Sequence, residues 1–451
     1  MRDLVFIAFL VALFGVGFRR PFLFVPAYVY IDIVSPQRLT YYLLNTVPIS
    51  AIAFAFVFGG WLLSDAKRDA RVAPRQILIV ALLLYCWTTT TYADFPAEAR
   101  DKWDWVWKAL AFAAFLPLTL RTRLRIETLL LFMVLSAASI VIVGGIKTLA
   151  SGGGYGQLNL MVDNNSGLYE SSTIATVAVA VVPVILWFAR HGTVFPPDWR
   201  MKGFAYALAF SCLLIPIGTS ARTGLLCIGL LALLMLRDAR RKLLYLGLIG
   251  SAGLLAVPFL PSAFSERMGT IGGYQSDTSA STRLAVWRWT IDYARDHPFG
   301  GGFNTYLQNK LRFETVAADP SGAVVELKQE VDQARAFHSA YFEMLGEQGY
   351  PGLLLWLAIN VAGLFRMEVL RRRYRSTEPW AADLATALQG AHAIYLFGAA
   401  FVGIAFQPFV FMLVGTQIGL DTYLGRLRAE AGHRPMRPRN REAVPIIPSP
   451  A

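Results

Sequence analysis

The chain reads as an all-α polytopic membrane protein: about twelve transmembrane helices, with a mostly helical extracytoplasmic domain between two late spans. Three observations carry this. Apolar residues fill 55% of the 451 positions and charged ones only 16%, with a mean hydropathy of +0.46. Apolar runs long enough to cross about 30 Å of hydrocarbon recur from end to end. Basic residues gather in alternate short connections, as the positive-inside rule requires.

Taken in order, spans are expected near residues 4–34 (broken), 41–63, 76–87, 107–120, 126–146, 172–188, 204–217, 223–236 and 243–259. These make 1–258 an N-terminal membrane unit of about nine helices. Residues 259–349 form one large outer loop domain. Residues 350–425 add about three spans (350–364, 384–404 and 409–424), and 426–451 is a Pro/Arg-rich tail with too few apolar residues to fold. Leu4–Gly17 resembles a signal-peptide core, but Arg19-Arg20-Pro21 follows without a small-residue cleavage site, so the segment is expected to be retained. Counting back from the basic connection after Asp65, residues 4–35 should cross once as a broken or re-entrant unit, which places both termini in the cytoplasm; two full crossings would put the N-terminus outside.

The net charge of +12 is no nucleic-acid footprint, because it is spread among connections rather than gathered on one surface. Lys67 to Arg75, Arg121 to Arg125, Arg190 to Lys202, Arg237 to Lys242, Arg366 to Arg375 and the tail from Arg426 are read as cytoplasmic. The stretch from Asp94 to Asp104 is mostly acidic and belongs to the other face, with the Ser220–Arg222 turn and the 259–349 loop. Cys86, Cys212 and Cys227 lie in apolar segments without metal or redox spacing and read as packing residues.

Within the outer loop, Ser281 to Asp296 has helical spacing through Leu284, Trp287, Ile291 and Ala294. His297-Pro298 ends that helix and Gly300-Gly301-Gly302 makes a turn. Leu311–Lys328 has little periodicity and reads as a mobile loop. Helix resumes from His338 and runs on toward Tyr350-Pro351-Gly352.

Chemistry-bearing residues are few. Arg288 lies beside the apolar stripe, either paired with Asp292 on the helix surface or turned inward to grip a phosphate or carboxylate with its planar fork. Arg222 opens a span after Gly218-Thr219-Ser220-Ala221, where Thr219 or Ser220 could cap the helix and its N–H groups favour an anion. The plain alternative is an arginine snorkelling to the interface. His338 sits where a water-exposed site meets the lipid, suited by its ordinary titration range to act as a base, or else simply a surface histidine. Arg267 and Arg283 are further anion candidates. No metal-ligand spacing, Gly-x-Ser-x-Gly or phosphate-binding Gly-rich loop occurs.

The stretch His338-Ser-Ala-Tyr-Phe-Glu-Met-Leu-Gly-Glu-Gln-Gly-Tyr-Pro-Gly352-Leu resembles a signature of bacterial O-antigen ligases and related O-antigen polymerases. Thr219-Ser-Ala-Arg222-Thr-Gly224 looks like their Ser-Arg-x-Gly turn, and Arg288 with Pro298-Phe-Gly300-Gly-Gly302 like their Arg…Pro-x-x-Gly-x-Gly segment. The opening Met1-Arg-Asp-Leu and Arg19-Arg-Pro21 are similar to a subgroup found beside exosortase systems. The motif-bearing match covers about residues 215–360, and Ser339 stands where many relatives have Asn. The resemblance implies a multi-pass glycosyltransferase of the bacterial inner membrane with a periplasmic active site. It would move a glycan from undecaprenyl diphosphate to a sugar hydroxyl of lipid A–core in lipopolysaccharide biosynthesis. Arg222 and Arg288 would hold the diphosphate and His338 would activate the acceptor.

The chemistry is self-consistent. A diphosphate is already a good leaving group, so the site needs only to neutralise developing negative charge, and arginines can do so without a metal or other cofactor. Attack opposite the diphosphate would invert the anomeric centre. A polymerase or a protein O-glycosylation ligase would share this chemistry. A lipid-linked-glycan transporter would instead need charged groups along a path through the membrane, and the spans hold few beyond His392 and Asp421.

Overall fold

The computed structural model describes residues 2–40, 43–44, 47–65, 67, 72–151, 168–237, 278–318 and 324–433, with isolated positions between 241 and 251. Most of the span expected at 243–259, the candidate Arg267 and the tail beyond 433 lie outside the described residues. Fourteen described helices carry the fold: α1 (Arg2–Arg19), α2 (Phe24–Val34), α3 (Pro36–Leu39), α4 (Ile49–Ser64), α5 (Pro74–Thr91), α6 (Pro96–Thr119), α7 (Arg123–Ser151), α8 (Ser171–His191), α9 (Trp199–Gly218), α10 (Arg222–Met235), α11 (Thr278–Asp296), α12 (Ala340–Tyr374), α13 (Pro379–Ala399) and α14 (Pro408–His433). Four of them (α7, α8, α9 and α12) are long and apolar enough to cross a membrane, and the stretches 21–34, 49–64 and 222–235 are shorter apolar helices. Large apolar side chains such as Leu63, Leu354 and Phe365 stand exposed on the outside, as lipid-facing helices require and water-facing ones do not tolerate in such number. The chain is a helical membrane protein.

The first segment corrects its expected course. Proline removes a helical N–H donor and disfavours a helical residue before it, and at Arg20-Pro21 the chain doubles back. Phe18 packs edge-on against Phe24 at 5.3 Å and Phe9 against Tyr30 at 4.9 Å. Helices α1 and α2 are therefore an antiparallel hairpin rather than one broken crossing, and the start of α1 lies level with the end of α2. Phe24 also fills the space over Gly17, where a Cβ would come within 2.4 Å of the ring.

The basic connections meet at one end of the bundle. Arg125 grips Asp65 with two bonds of 2.7 Å, and Arg237 reaches Glu368 at 2.6 Å. Arg366 forks onto Asp421 at 2.6 and 2.8 Å, while Arg426 donates to the Leu120 carbonyl. Segments 94–104, 168–173, 219–223, 298–318 and 324–350 occupy the other end.

That second end is organised around a break in α12. Gly349 has φ +62, and Pro351 lacks an N–H, so the helical partners of the Gly346 and Glu347 carbonyls are lost. The glycine turn after α11 replaces them: Gly301 N–H donates to Gly346 O at 3.2 Å and Gly302 N–H to Glu347 O at 2.9 Å. Tyr350 N–H, diverted from Gly346, donates to Pro298 O at 3.0 Å. The close approach explains the glycines, since a Cβ on Gly300 would lie 2.5 Å from Glu347 O and one on Gly349 2.3 Å from Pro298 O.

Two further readings of the outer region change. The stretch expected as a loop over Leu311–Lys328 falls, in its described residues, on two paired strands, β1 (Lys310–Ala318) antiparallel with β2 (Val324–Gln333) in the register Lys310↔Gln333 to Val316↔Leu327. Its signal is period two, with Leu311 and Phe313 on one strand and Val325, Leu327 and Val331 on the other, which a search for helical spacing passes over. The hairpin is the described departure from an all-α chain. The buried stripe of α11 is Val286, Thr290 and Ala294, whereas Leu284 and Ile291 stand exposed.

Candidate functional site

A cavity of about 1410 Å³ opens at the end where α12 is broken. Its walls come from the α2–α3 junction (Asp32, Arg38), α6 (Asp101, Lys102, Trp105, Lys108), Glu170 before α8, the 219–223 turn, Arg283 on α11, His338 and the head of α12 (Glu343, Glu347). Among the described residues, four of the five non-glycine residues with positive φ line it: Ser35, Ser220, Asn304 and His338. Such conformations cost roughly 1–3 kcal/mol each and persist only where the surroundings enforce them.

The sequence sets Arg222 through the turn before it. Helix α9 ends with Ser220 at φ +50, Ser220 N–H on Ile217 O at 3.1 Å and Ala221 N–H on Pro216 O at 2.9 Å, which is the Schellman pattern with serine at the left-handed position. Helix α10 then starts at Arg222 with Ala221 as N-cap. Neither Thr219 nor Ser220 caps it as expected, because Thr219 Oγ1 turns back to Ile215 O at 2.8 Å. Gly224 is fixed by contact: a Cβ there would meet Pro216 Cγ at 2.6 Å and Ala175 Cβ at 2.8 Å. The turn thus brings the head of α10, with Arg222, to the cavity wall.

His338 sits at φ +47 in the strand-to-helix link, held from both sides. Buried Asn309 exchanges bonds with the Arg335 backbone at 2.7 and 3.0 Å, and Trp287 Nε1–H donates to Phe337 O at 2.9 Å. Burial lowers the His338 pKa below its ordinary value, and the nearby Arg283 guanidinium lowers it further, while Glu170 opposes them. The imidazole is accordingly neutral near pH 7 and able to accept a proton. Glu170 is itself fixed, its carboxylate accepting Ser172 N–H at 3.0 Å and Thr173 N–H at 2.6 Å at the head of α8.

Of the residues singled out from sequence, Arg222, Arg283 and His338 line this cavity together. Arg288 does not. It lies on the exposed side of α11, across the helix from Val286 and Thr290, and the Asp292 carboxylate four residues on accepts from Arg295 at 2.9 Å. Leu284 and Ile291 are not the packed face of α11; the buried stripe through Val286 and Thr290 puts Arg283 inward. Sequence reasoning also passed over Arg38, Lys102 and Glu170, which come from segments read only as connections or span ends. Among the described residues no group of His, Cys, Asp and Glu side chains is arranged to hold a metal ion.

Fold and cavity together define a helical membrane protein with a polar, partly cationic chamber at one end. Residues 206–357, about a third of the chain, match the protein family described as O-Antigen ligase, the family that its motifs resemble. Residues 1–193 match a family of unknown function, DUF5935. A similar protein is the exopolysaccharide production protein ExoQ of Rhizobium meliloti (strain 1021), 28% identical over 165 residues, a match that covers 36% of this chain and 35% of that one.

Proposed function

We propose that the protein is an O-antigen ligase: a glycosyltransferase that moves a glycan from undecaprenyl diphosphate to a sugar hydroxyl of lipid A–core oligosaccharide. The observation that carries this is the presence of Arg222, Arg283 and His338 in one chamber, within the stretch that matches the O-antigen ligase family. Arg222 and Arg283 bind the diphosphate, with Arg283 in the role first considered for Arg288. Guanidinium forks match phosphate oxygens and offset the charge that builds on the leaving group. No metal or other cofactor enters the scheme.

His338 is the base. The acceptor O–H gives its proton to the neutral imidazole as the oxygen attacks the anomeric carbon. The C–O bond to the diphosphate breaks on the opposite face, its electron pair leaves on the undecaprenyl diphosphate, and the configuration inverts. A positioned base of this kind typically contributes 10²–10⁴-fold. The chamber faces the periplasm of a bacterial inner membrane, with the basic end in the cytoplasm. By the hairpin of α1 and α2, the N-terminus then lies on the periplasmic side and the C-terminal tail on the cytoplasmic side.

A second reading keeps the chemistry and changes the acceptor to another lipid-linked glycan, which the similarity to an exopolysaccharide production protein favours. The test is a purified-component assay in lipid nanodiscs that offers undecaprenyl-diphosphate glycan with either lipid A–core or a second lipid-linked glycan. Transfer to lipid A–core supports the ligase, chain extension supports the polymerase, and no transfer to either acceptor removes both.

A further inference from the structure

The chamber is shared between two stretches that differ in what their families say. Arg222, Arg283 and His338 belong to the O-antigen ligase stretch, whereas Asp32, Arg38, Lys102, Trp105, Lys108 and Glu170 belong to residues 1–193, whose family has no stated function. On the reading of the chamber as a transferase site, we propose that residues 1–193 are part of the catalytic apparatus, with Lys102 as a residue that positions the His338 segment.

Lys102 ties α6 to the head of α12 and, through it, to the segments around Asn304 and Ala405 that line the chamber. Its ammonium, on α6, donates to Glu343 Oε1 at 2.6 Å and to both Glu347 oxygens at 2.8 Å. The two carboxyl groups are one turn apart in the first two turns of α12, five and nine positions after His338. Each also holds a loop. Glu347 Oε1 accepts the N–H of Asn304, a left-handed residue in the glycine-rich turn, at 3.0 Å, and Glu343 Oε2 accepts the N–H of Ala405 at 3.1 Å. The Phe303 and Phe406 rings from those same loops lie 5.5 Å from the ammonium. The ion cluster is nearly sealed, with the Lys102, Glu343 and Glu347 side chains 12%, 8% and 1% exposed.

The arrangement makes α6 the anchor against which the first turn of α12 is set. Removing the ammonium leaves two carboxyl groups facing each other in a poorly hydrated place, a situation that costs far more than the net worth of the ion pair. The head of α12 would then shift, and a misplacement of about 1 Å can cost about 10²-fold in rate. Diphosphate binding by Arg222 and Arg283, which sit on other helices, should be little affected.

The test compares wild type, Lys102→Met and Lys102→Met/Glu347→Gln in the full-length protein, with undecaprenyl-diphosphate glycan and the acceptor that wild type uses. The double variant removes one of the two opposed carboxyl groups and keeps an amide oxygen to accept Asn304 N–H. The expected result is a kcat about 100-fold lower in the single variant with KM for the donor unchanged, and at least about tenfold recovery in the double. A Lys102→Met enzyme within about threefold of wild type, or a folded double variant no faster than the single, would overturn the proposal. A wild type that transfers nothing to either acceptor would instead defeat the transferase reading.

Discussion

Arg283 and His338 line the same chamber, and the Arg283 guanidinium adds to burial in lowering the imidazole pKa. One cation thus serves two purposes in the proposed reaction. It holds donor phosphate, and it keeps the base unprotonated before the acceptor arrives.

The first prediction is the pH dependence this relationship imposes. A lowered His338 pKa means the base is neutral at and above neutral pH and is lost only as the pH falls through that lowered value. Replacing Arg283 by Gln removes a depressing charge, so the acid limb of log kcat/KM should move to higher pH. Replacing Glu170 by Gln removes an opposing charge, so the limb should move to lower pH. The profiles of the two variants, compared with wild type, check both signs, and an unmoved limb in each would remove His338 as the titrating group.

The second prediction separates the two arginines of α11. A lysine keeps the charge but not the planar fork. Arg283→Lys should therefore lose roughly 10²-fold in kcat/KM, a typical loss when one preorganised donor to a developing anion is removed. Arg288→Lys, on the exposed side of the helix, should stay within about threefold. Initial rates of the two purified variants decide it; equal loss in both would return Arg288 to the site.

The third concerns the docking of the glycine turn on broken α12. Gly349→Ala forces an alanine to φ +62 and sets its Cβ against the Pro298 carbonyl. The left-handed conformation alone costs roughly 1–2 kcal/mol, and the contact adds to it. The thermal midpoint should fall, and activity with it, because the same contact sets Asn304 and Glu347 beneath the chamber. An unchanged midpoint would mean that the turn does not rest on α12.

The fourth follows from letting arginines carry the charge. Transfer should proceed at its full rate after dialysis against excess EDTA, measured in the same assay. A strict return of activity on adding a divalent cation would contradict an arginine-only scheme.

Much of this was written in local patterns. Proline and glycine marked two of the breaks, so Pro21 and Gly300 to Gly302 punctuate the chain where the sequence said they would, whereas the helix expected to run on toward Tyr350 breaks at Gly349. The direction taken after a break was not legible: Arg20-Pro21 reads alike for a kink and a reversal, and only the packing of Phe9 on Tyr30 distinguishes them. In α11 the apolar residues outnumber the positions that can be buried, so Leu284 and Ile291 competed on paper with Val286 and Thr290. Which face packs was decided by tertiary partners such as Phe337. Lys102 was invisible for another reason. Its partners Glu343 and Glu347 are more than 240 positions away, and its own neighbours, Asp101 and Asp104, make it read as one more charge in a solvated acidic stretch.

The most direct test of the central claim is a single-turnover measurement on His338→Ala loaded with undecaprenyl-diphosphate glycan. The account predicts that the variant binds the donor as wild type does and, on addition of acceptor, releases undecaprenyl diphosphate at least about 10²-fold more slowly. Release at the wild-type rate would contradict it, and His338 would no longer be the base.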